Sequence, residues 1–167
     1  MLFELAESCA RLVRGSDTRL LINDRADIAL TSGADGVHLA TSSLETAVVR
    51  RAFGNDFLIG VSTHSIGEAA AARDGGADFV VFGPVFQTAS KQSYGDPVGV
   101  DALRDCASSL APFPVLALGG VGAENVRDCF RAGASGIAAI RLFEDAAKLA
   151  DVSSLVRSAF DEVKGDT

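Results

Sequence analysis

Cysteine is scarce and unpatterned. Cys9, Cys106 and Cys129 are the three in the chain of 167 residues. They are odd in number and far apart, and no CxxC or Cys/His spacing points to zinc. They read as free thiols, buried or half-buried, in a reducing cytosol. Positive charge is also short: 15 Lys+Arg stand against 22 Asp+Glu, a net charge of −7. Such a surface repels nucleic acid and anionic membranes, so neither is expected as a partner. It remains compatible with a small anionic ligand held by backbone N–H groups. With only 4 prolines, the 17 glycines read as turn and loop devices rather than as a mark of disorder. The N-terminal stretch MLFELAESCARLVRG holds Glu4 and Glu7 and no small-residue cleavage site, so it does not read as a signal peptide. No apolar run approaches the ~20 residues needed to span a bilayer. No low-complexity linker interrupts the chain. The expectation is one soluble, cytoplasmic domain over 1–167, with 48% hydrophobic residues to build its core.

What is present is a repeat. A helical stretch ends in Gly, Ala follows, and a short strand comes next. The copies are Gly33-Ala34-Asp35-Gly36-Val37-His38-Leu39, Gly76-Ala77-Asp78-Phe79-Val80-Val81-Phe82 and Gly133-Ala134-Ser135-Gly136-Ile137-Ala138-Ala139-Ile140. Each first Gly fits a helix C′ position, where φ is positive and a Cβ is costly. Two further apolar runs, Phe57–Val61 and Pro114–Leu118, also follow helix-like segments. The pattern predicts strands at 19–22, 36–39, 57–62, 78–83, 114–118 and 136–140. It places helices at 2–14, 24–33, 43–53, 65–75, 99–110, 123–132 and 144–163. Alternation of this kind means a parallel sheet with crossover helices. A doubly wound sheet and a (β/α) barrel both fit; the near-equivalent repeated units favour the barrel, and spacing alone does not decide.

In either architecture ligands bind at the carboxyl ends of the strands. Polar residues gather there: Asn23-Asp24-Arg25, then Ala40-Thr41-Ser42-Ser43, Ser62-Thr63-His64-Ser65, the long loop from Gly83 through Lys91, Gly119-Gly120, and Ile140-Arg141. Gly119-Gly120, with Asn125 opening the next helix, lets the backbone approach an anion, and Ile140-Arg141 precedes the last helix. Together they suit a phosphate; two ordinary glycine turns are the alternative. Asn23 and Asp24 fit either a helix cap or, for Asp24, an oxygen ligand to Mg²⁺. His64 fits a helix-start histidine or an acid/base group. His38, inside a strand, reads as a packing histidine. Lys91 is a solvated loop lysine or an anion clamp.

Taken together, these strand ends resemble the thiamine phosphate synthase superfamily, which includes the thiazole tautomerases. The resemblance runs from Leu20 to about Phe143. It rests on Ile22-Asn23-Asp24-Arg25, Gly33 through Leu39, Gly60-Val61-Ser62-Thr63-His64-Ser65, Phe82-Gly83-Pro84-Val85-Phe86-Gln87-Thr88-Ala89-Ser90-Lys91 and Ala117-Leu118-Gly119-Gly120-Val121. It implies a phosphate-binding (β/α)₈ barrel. The synthases join a hydroxymethylpyrimidine diphosphate to a thiazole phosphate and release diphosphate. A pyrimidine carbocation forms first and the thiazole nitrogen captures it, while Mg²⁺ and cationic groups stabilise the leaving diphosphate. By resemblance, Asn23 and Asp24 match the pyrimidine and metal side. Ser62 matches a serine near the reacting pyrimidine. Thr88, Ser90 and Lys91 match the loop that handles the phosphates. Gly120, Ile140 and Arg141 match the thiazole-phosphate pocket.

Three departures stand out. The synthases carry Gly-Gln-Glu-Asp where this chain has Ala40-Thr41-Ser42-Ser43, so Ser43 replaces a carboxylate ligand and Mg²⁺ affinity is expected to fall. Arg141 stands where the synthases often have Ser. The family's N-terminal Gln-Leu-Arg-Glu-Lys-type strand is absent, which implies about six βα units of the barrel. That absence motivates two further expectations: a homo-oligomer that covers open strand edges, or a catalytically silent phosphate-binding or interaction protein. The first departure points toward the tautomerase branch, whose acid/base histidine matches His64; Asp24 points back to the synthases.

Overall fold

The computed structural model describes residues 1–40, 42–88 and 96–165. Its helices are α1 (Leu2–Val13), α2 (Ala26–Ser32), α3 (Thr46–Phe53), α4 (Ile66–Asp74), α5 (Gly99–Leu110), α6 (Val126–Arg131) and α7 (Leu149–Gly165). The strands are β1 (Leu21–Asn23), β2 (Gly36–Leu39), β3 (Leu58–Thr63), β4 (Phe79–Phe82), β5 (Val115–Leu118) and β6 (Gly136–Ala138). Strand order in the sheet is the chain order, β1 to β6. A doubly wound sheet reverses its order at a switch point, and this one does not, so the strands are successive strands of a (β/α) barrel. No helix among the described residues is long and apolar enough to cross a membrane.

By contact density the chain divides into two compact units, Met1–Ser62 with Ala70–Val80, and Thr63–Ala69 with Val81–Thr167. In the first, β1, β2 and β3 pair in parallel, with Ile22 beside Val37 and Val37 beside Ile59. These residues meet Ala6, Ala26, Ala29, Val49 and Phe57 in one apolar core. In the second unit β5 pairs in parallel with β6. Leu103, Cys106, Leu110, Val115, Ala117, Val126 and Cys129 are buried there. Burial pushes both thiols up to about 11. The expected buried, free thiols are therefore observed at Cys106 and Cys129, and Cys9 is half-buried. Phe160 of α7 meets Phe130 of α6 edge-on at 5.2 Å.

The repeated Gly-Ala-Asp unit has one physical explanation. Gly33, Gly76 and Gly133 have φ of +76°, +92° and +93° and turn each helix back toward the sheet. The following Ala N–H reaches the carbonyl five residues back, at 3.0, 3.0 and 3.1 Å, which closes the helix end as a Schellman motif. The Asp then fastens the coming strand to its neighbour with side chain and main chain together. Asp35 accepts the Leu20 N–H on Oδ2 at 2.8 Å and donates its own N–H to the Leu20 carbonyl at 2.9 Å. Asp78 does the same to Ile59, at 2.7 and 2.8 Å. The third copy, Ser135, keeps only the main-chain half, its N–H bonded to the Val115 carbonyl at 2.8 Å.

Two elements begin later than the predicted bounds because local hydrogen bonds compete with them. β1 starts at Leu21 rather than 19 because Leu20 is held by the Asp35 carboxylate, outside the ladder. α7 starts at Leu149 rather than 144 because the Asp145 carboxylate takes the Ala147 N–H at 3.0 Å, a local bond that competes with the helix. A single 3₁₀ turn, Arg141–Phe143, precedes it.

Arg50 ties the first unit together at the amino ends of its strands. Its guanidinium donates to the carbonyls of Gly54 (2.6 Å), Phe57 (2.8 Å) and Gly76 (2.9 Å) and to Asp78 Oδ2 (2.7 Å). Its side chain is 17% exposed. Arg50→Met is expected to cost about 2–3 kcal/mol in urea unfolding, because charge-assisted bonds are lost, three carbonyls lose a donor and Asp78 keeps only the Ile59 N–H. Arg50→Lys should recover less than half of that, since one ammonium cannot span four acceptors. Arg104→Ala, which breaks an exposed pair with Asp101, should cost under ~1 kcal/mol in the same assay.

Candidate functional site

In the first unit the carboxyl ends of β1, β2 and β3 bring Asp24, His38, Ser43 and Ser62 into two linked pairs. Asp24 follows β1 with φ +60°, a left-handed conformation that Asp tolerates better than most residues. Its N–H donates to the His38 carbonyl at 2.9 Å. Its Oδ1 accepts the Ser43 hydroxyl and, at 3.3 Å, the Ala40 N–H. The Ser43 hydroxyl, and after it the Ala40 N–H, holds the Asp24 carboxyl below the usual carboxylate range. Asn23 ends β1, exposed, with its carbonyl accepting the Arg25 N–H at 2.7 Å. The cap reading of Asn23-Asp24 is therefore corrected: α2 is entered from Arg25 and has no side-chain cap bond.

His38 is a satisfied strand histidine, but its partner matters. Its Nε2 lies 2.8 Å from Ser62 Oγ. The reason is register. His38 pairs with Gly60, and Ser62, two residues on, shares Gly60's face of β3. Gly60 has no Cβ to obstruct the imidazole; one built there would sit 2.9 Å from His38 Nδ1 and 2.4 Å from the Phe79 ring. Burial lowers the His38 pKa from 6.5, and the Asp24 charge opposes this only in part. The ring is thus held as the neutral imidazole, and it orients the Ser62 hydroxyl.

In the second unit His64 follows β3 and starts α4. Ser65 and Glu68 form a capping arrangement: the Ser65 hydroxyl accepts the Glu68 N–H at 3.2 Å, and Glu68 reaches back to the His64 N–H at 2.7 Å. His64 Nδ1 lies 2.5 Å from the Gly83 carbonyl. A carbonyl only accepts, so Nδ1 carries the proton and Nε2 keeps a free lone pair. The ring is exposed.

The β4 and β5 ends meet closely. A Cβ on Gly83 would lie 2.1 Å from the Leu118 carbonyl oxygen, so only glycine fits. That oxygen accepts the Val85 N–H at 2.8 Å, and the Gly119 oxygen accepts the Phe86 N–H at 2.9 Å. Gly120, at φ +63°, presses on the Gln87 carbonyl, which a Cβ would meet at 2.6 Å. Asn125 braces this turn from below. Its Nδ2 donates to the Gly120 carbonyl and its Oδ1 accepts the Gly122 N–H, both at 2.9 Å. These bonds hold 120–125 as a turn, so α6 begins at Val126 instead of 123. Among the described residues the N–H groups of Gly120 and Val121 have no protein acceptor.

A cleft of about 540 Å³ opens beside this turn. Thr88, Gly119, Gly120, Ile140 and Arg141 all line it, so five of the predicted phosphate-side residues come together. Gln87, inside the motif that carries the resemblance but given no role there, also lines it, as do Glu124 and Glu144, which had no sequence signal. Ile140 is 82% exposed and precedes the 3₁₀ turn, whose first residue, Arg141, lines the cleft with it. Ser90 and Lys91 lie outside the described residues, as does Thr41. A second cavity of about 460 Å³, near Arg19, Asp35 and Leu58, sits at the amino ends of β2 and β3, away from the ligand end.

Asp24 is the residue matched to Mg²⁺. The donor set does not fit a resident ion: it offers one carboxylate, already accepting two hydrogen bonds on Oδ1, and a serine hydroxyl that is itself a donor. Among the described residues no three His, Cys, Asp or Glu side chains form a group that could hold a metal.

A chain-ordered parallel sheet with a cleft at the ends of β5 and β6 defines a protein of the (β/α)-barrel class. The chain belongs to the thiamine monophosphate synthase family, whose profile matches residues 1–143. A relative from Geobacter sulfurreducens is 50% identical over 139 residues, covering 83% of this chain and 65% of its own length. The thiamine-phosphate synthase of Chlorobium phaeobacteroides is 38% identical over 164 residues, covering 98% of this chain and 78% of its own. Among solved structures, a thiamine phosphate pyrophosphorylase from Pyrococcus furiosus superposes with a TM-score of 0.84 at 30% identity, over 97% of this chain and 77% of that one. The chain thus spans less than two thirds of the length of some curated relatives it matches, 65% and 64% in two of them.

Two outcomes follow from this geometry. Gly83→Ala should destabilise the protein by more than ~2 kcal/mol in thermal or urea unfolding, because the clash is with backbone rather than a movable side chain. His38 should titrate below its ordinary value by NMR. A base whose folded pKa is depressed binds fewer protons folded than unfolded. Its contribution to stability is therefore complete above pH ~6.5 and is lost as pH falls below that value. His38→Asn should flatten this part of the stability profile; an unchanged profile would count against it.

Proposed function

We propose that this chain carries out the condensation of the thiamine pathway, joining hydroxymethylpyrimidine diphosphate to thiazole phosphate with release of diphosphate. The observation that carries it is the cleft at Gly119-Gly120. A glycine turn whose Gly120 and Val121 N–H groups have no acceptor among the described residues, a 3₁₀ turn after Ile140 and the Arg141 guanidinium suit a phosphate monoester. Family membership supports the rest.

In this reading the C–O bond to diphosphate breaks first and the leaving group takes the electron pair. The thiazole nitrogen then donates its lone pair to the pyrimidine methylene carbocation, and no proton needs to move. The residues of this chain bind and orient. Gly120 and Arg141 fix the thiazole phosphate so that its nitrogen waits in position. Ser62, aimed by His38, stands on the pyrimidine side with Asn23 and Asp24. Thr88, Ser90 and Lys91 serve the phosphates. A cytoplasmic location, a homo-oligomeric state and the absence of nucleic-acid partners belong to the same proposal; the net charge of −7 supports the last.

One observation favours a second reading, thiazole tautomerisation. His64 has its proton on Nδ1, fixed by Gly83, and an exposed Nε2 lone pair suited to acid/base work.

Incubation of the purified protein with both substrates and Mg²⁺ tests the first reading. Thiamine phosphate should form, Ser62→Ala should lower kcat about a hundredfold, and Gly120→Ala should raise KM for the thiazole phosphate. No product under any condition would sink it. Deuterium exchange into the thiazole substrate, lost in His64→Ala, would instead establish the second.

A further inference from the structure

We propose that Asp24 in this chain is a fixed hydrogen-bond acceptor and not the ligand of a resident Mg²⁺, and that the Ser43 hydroxyl decides between the two. Three contacts fix Asp24. Its N–H is held by the His38 carbonyl at 2.9 Å. Its Oδ1 takes the Ala40 N–H at 3.3 Å and the hydroxyl of Ser43. Ser43 is itself fixed, because its N–H donates to the Ala40 carbonyl at 3.0 Å and its Oγ accepts the Ala40 N–H at 2.7 Å. The serine is therefore held at the carboxylate by its own turn.

An ion approaching Asp24 meets an oxygen whose charge is already answered by two donors. Only Oδ2 is left to it. Mg²⁺ requires near-octahedral oxygen ligation and gives up its waters reluctantly, so a single exposed carboxylate oxygen holds it weakly. A carboxylate at position 43 would reverse the balance. It would remove the competing O–H donor and set a second negative charge beside the first, an arrangement that a divalent cation relieves. The backbone of Asp24 also bears on the test. Asn tolerates φ near +60° as well as Asp does, so Asp24→Asn removes the charge without disturbing the turn.

This inference deepens the synthase reading in assigning Asp24 to the substrate side, but its test needs no substrate and no turnover. Titrate MgCl₂ alone into the full chain by calorimetry, for the wild type, Asp24→Asn and Ser43→Asp. The wild type should bind Mg²⁺ within about threefold of Asp24→Asn, and Ser43→Asp should bind at least about tenfold tighter than both. A wild type that binds more than threefold tighter than Asp24→Asn overturns the proposal, as does a folded Ser43→Asp with less than the tenfold gain. If Ser43→Asp fails to fold, the wild-type and Asp24→Asn arms decide alone. Failure to make thiamine phosphate would be a separate result, since it leaves these affinities untouched.

Discussion

The oxygen of Leu118 lies where a side chain on Gly83 would begin, and much of the second unit's chemistry depends on that contact. The short distance lets the chain after β4 run against the chain after β5, with Val85 and Phe86 donating in turn to Leu118 and Gly119. The same Gly83 donates its N–H to the Thr63 carbonyl at 3.1 Å and gives its own carbonyl to His64. One residue without a side chain thus sets the position of the glycine turn and the tautomer of the histidine. The specificity comes from sterics and from saturating backbone polar groups, not from net charge.

The first unit relies on ionisable and hydroxyl side chains where the second relies mostly on backbone contacts braced by Asn125. Asp24 is kept anionic by donors, His38 is kept neutral by burial, and each holds its own serine, Ser43 and Ser62 respectively. A neutral ring beside Ser62 can hold the hydroxyl without adding charge next to Asp24. The arrangement also accounts for Gly60, whose missing Cβ leaves room for the Phe79 ring and, beside it, the imidazole.

Most of the fold was legible because period and punctuation agreed. Two Gly-Ala-Asp corners and one Gly-Ala-Ser corner marked three helix-to-strand turns, and all six predicted strands are present. The ordered strand ends also located the cleft residues Thr88, Gly119, Gly120, Ile140 and Arg141. Three of the misplaced bounds share a cause. α2, α3, α6 and α7 each begin two to five residues later than helical periodicity suggests. For three of them the polar residue that periodicity assigned to the first turn is bonded elsewhere: Ser43 to Asp24, Asn125 to Gly120 and Asp145 to Ala147. A propensity pattern has no access to a bond across a loop. The His38–Ser62 contact was hidden for a related reason. It follows from strand register, which the residues 36–39 and 58–63 do not state until they are paired.

The Asp35 and Asp78 corners lie at the amino ends of β2 and β4, and the candidate site lies at the carboxyl ends. Each corner closes its helix and pins its strand with its own few residues. A βα unit built this way carries its fastening with it, like a brick with mortar on one side only. The opposite ends of the strands are then open to change: replacing a carboxylate by Ser43, or a serine by Arg141, alters what the molecule can hold without loosening how it is assembled. Divergence within such a family is expected to collect at one rim of the sheet, and the chain's departures from the synthase pattern at positions 43 and 141 both fall there.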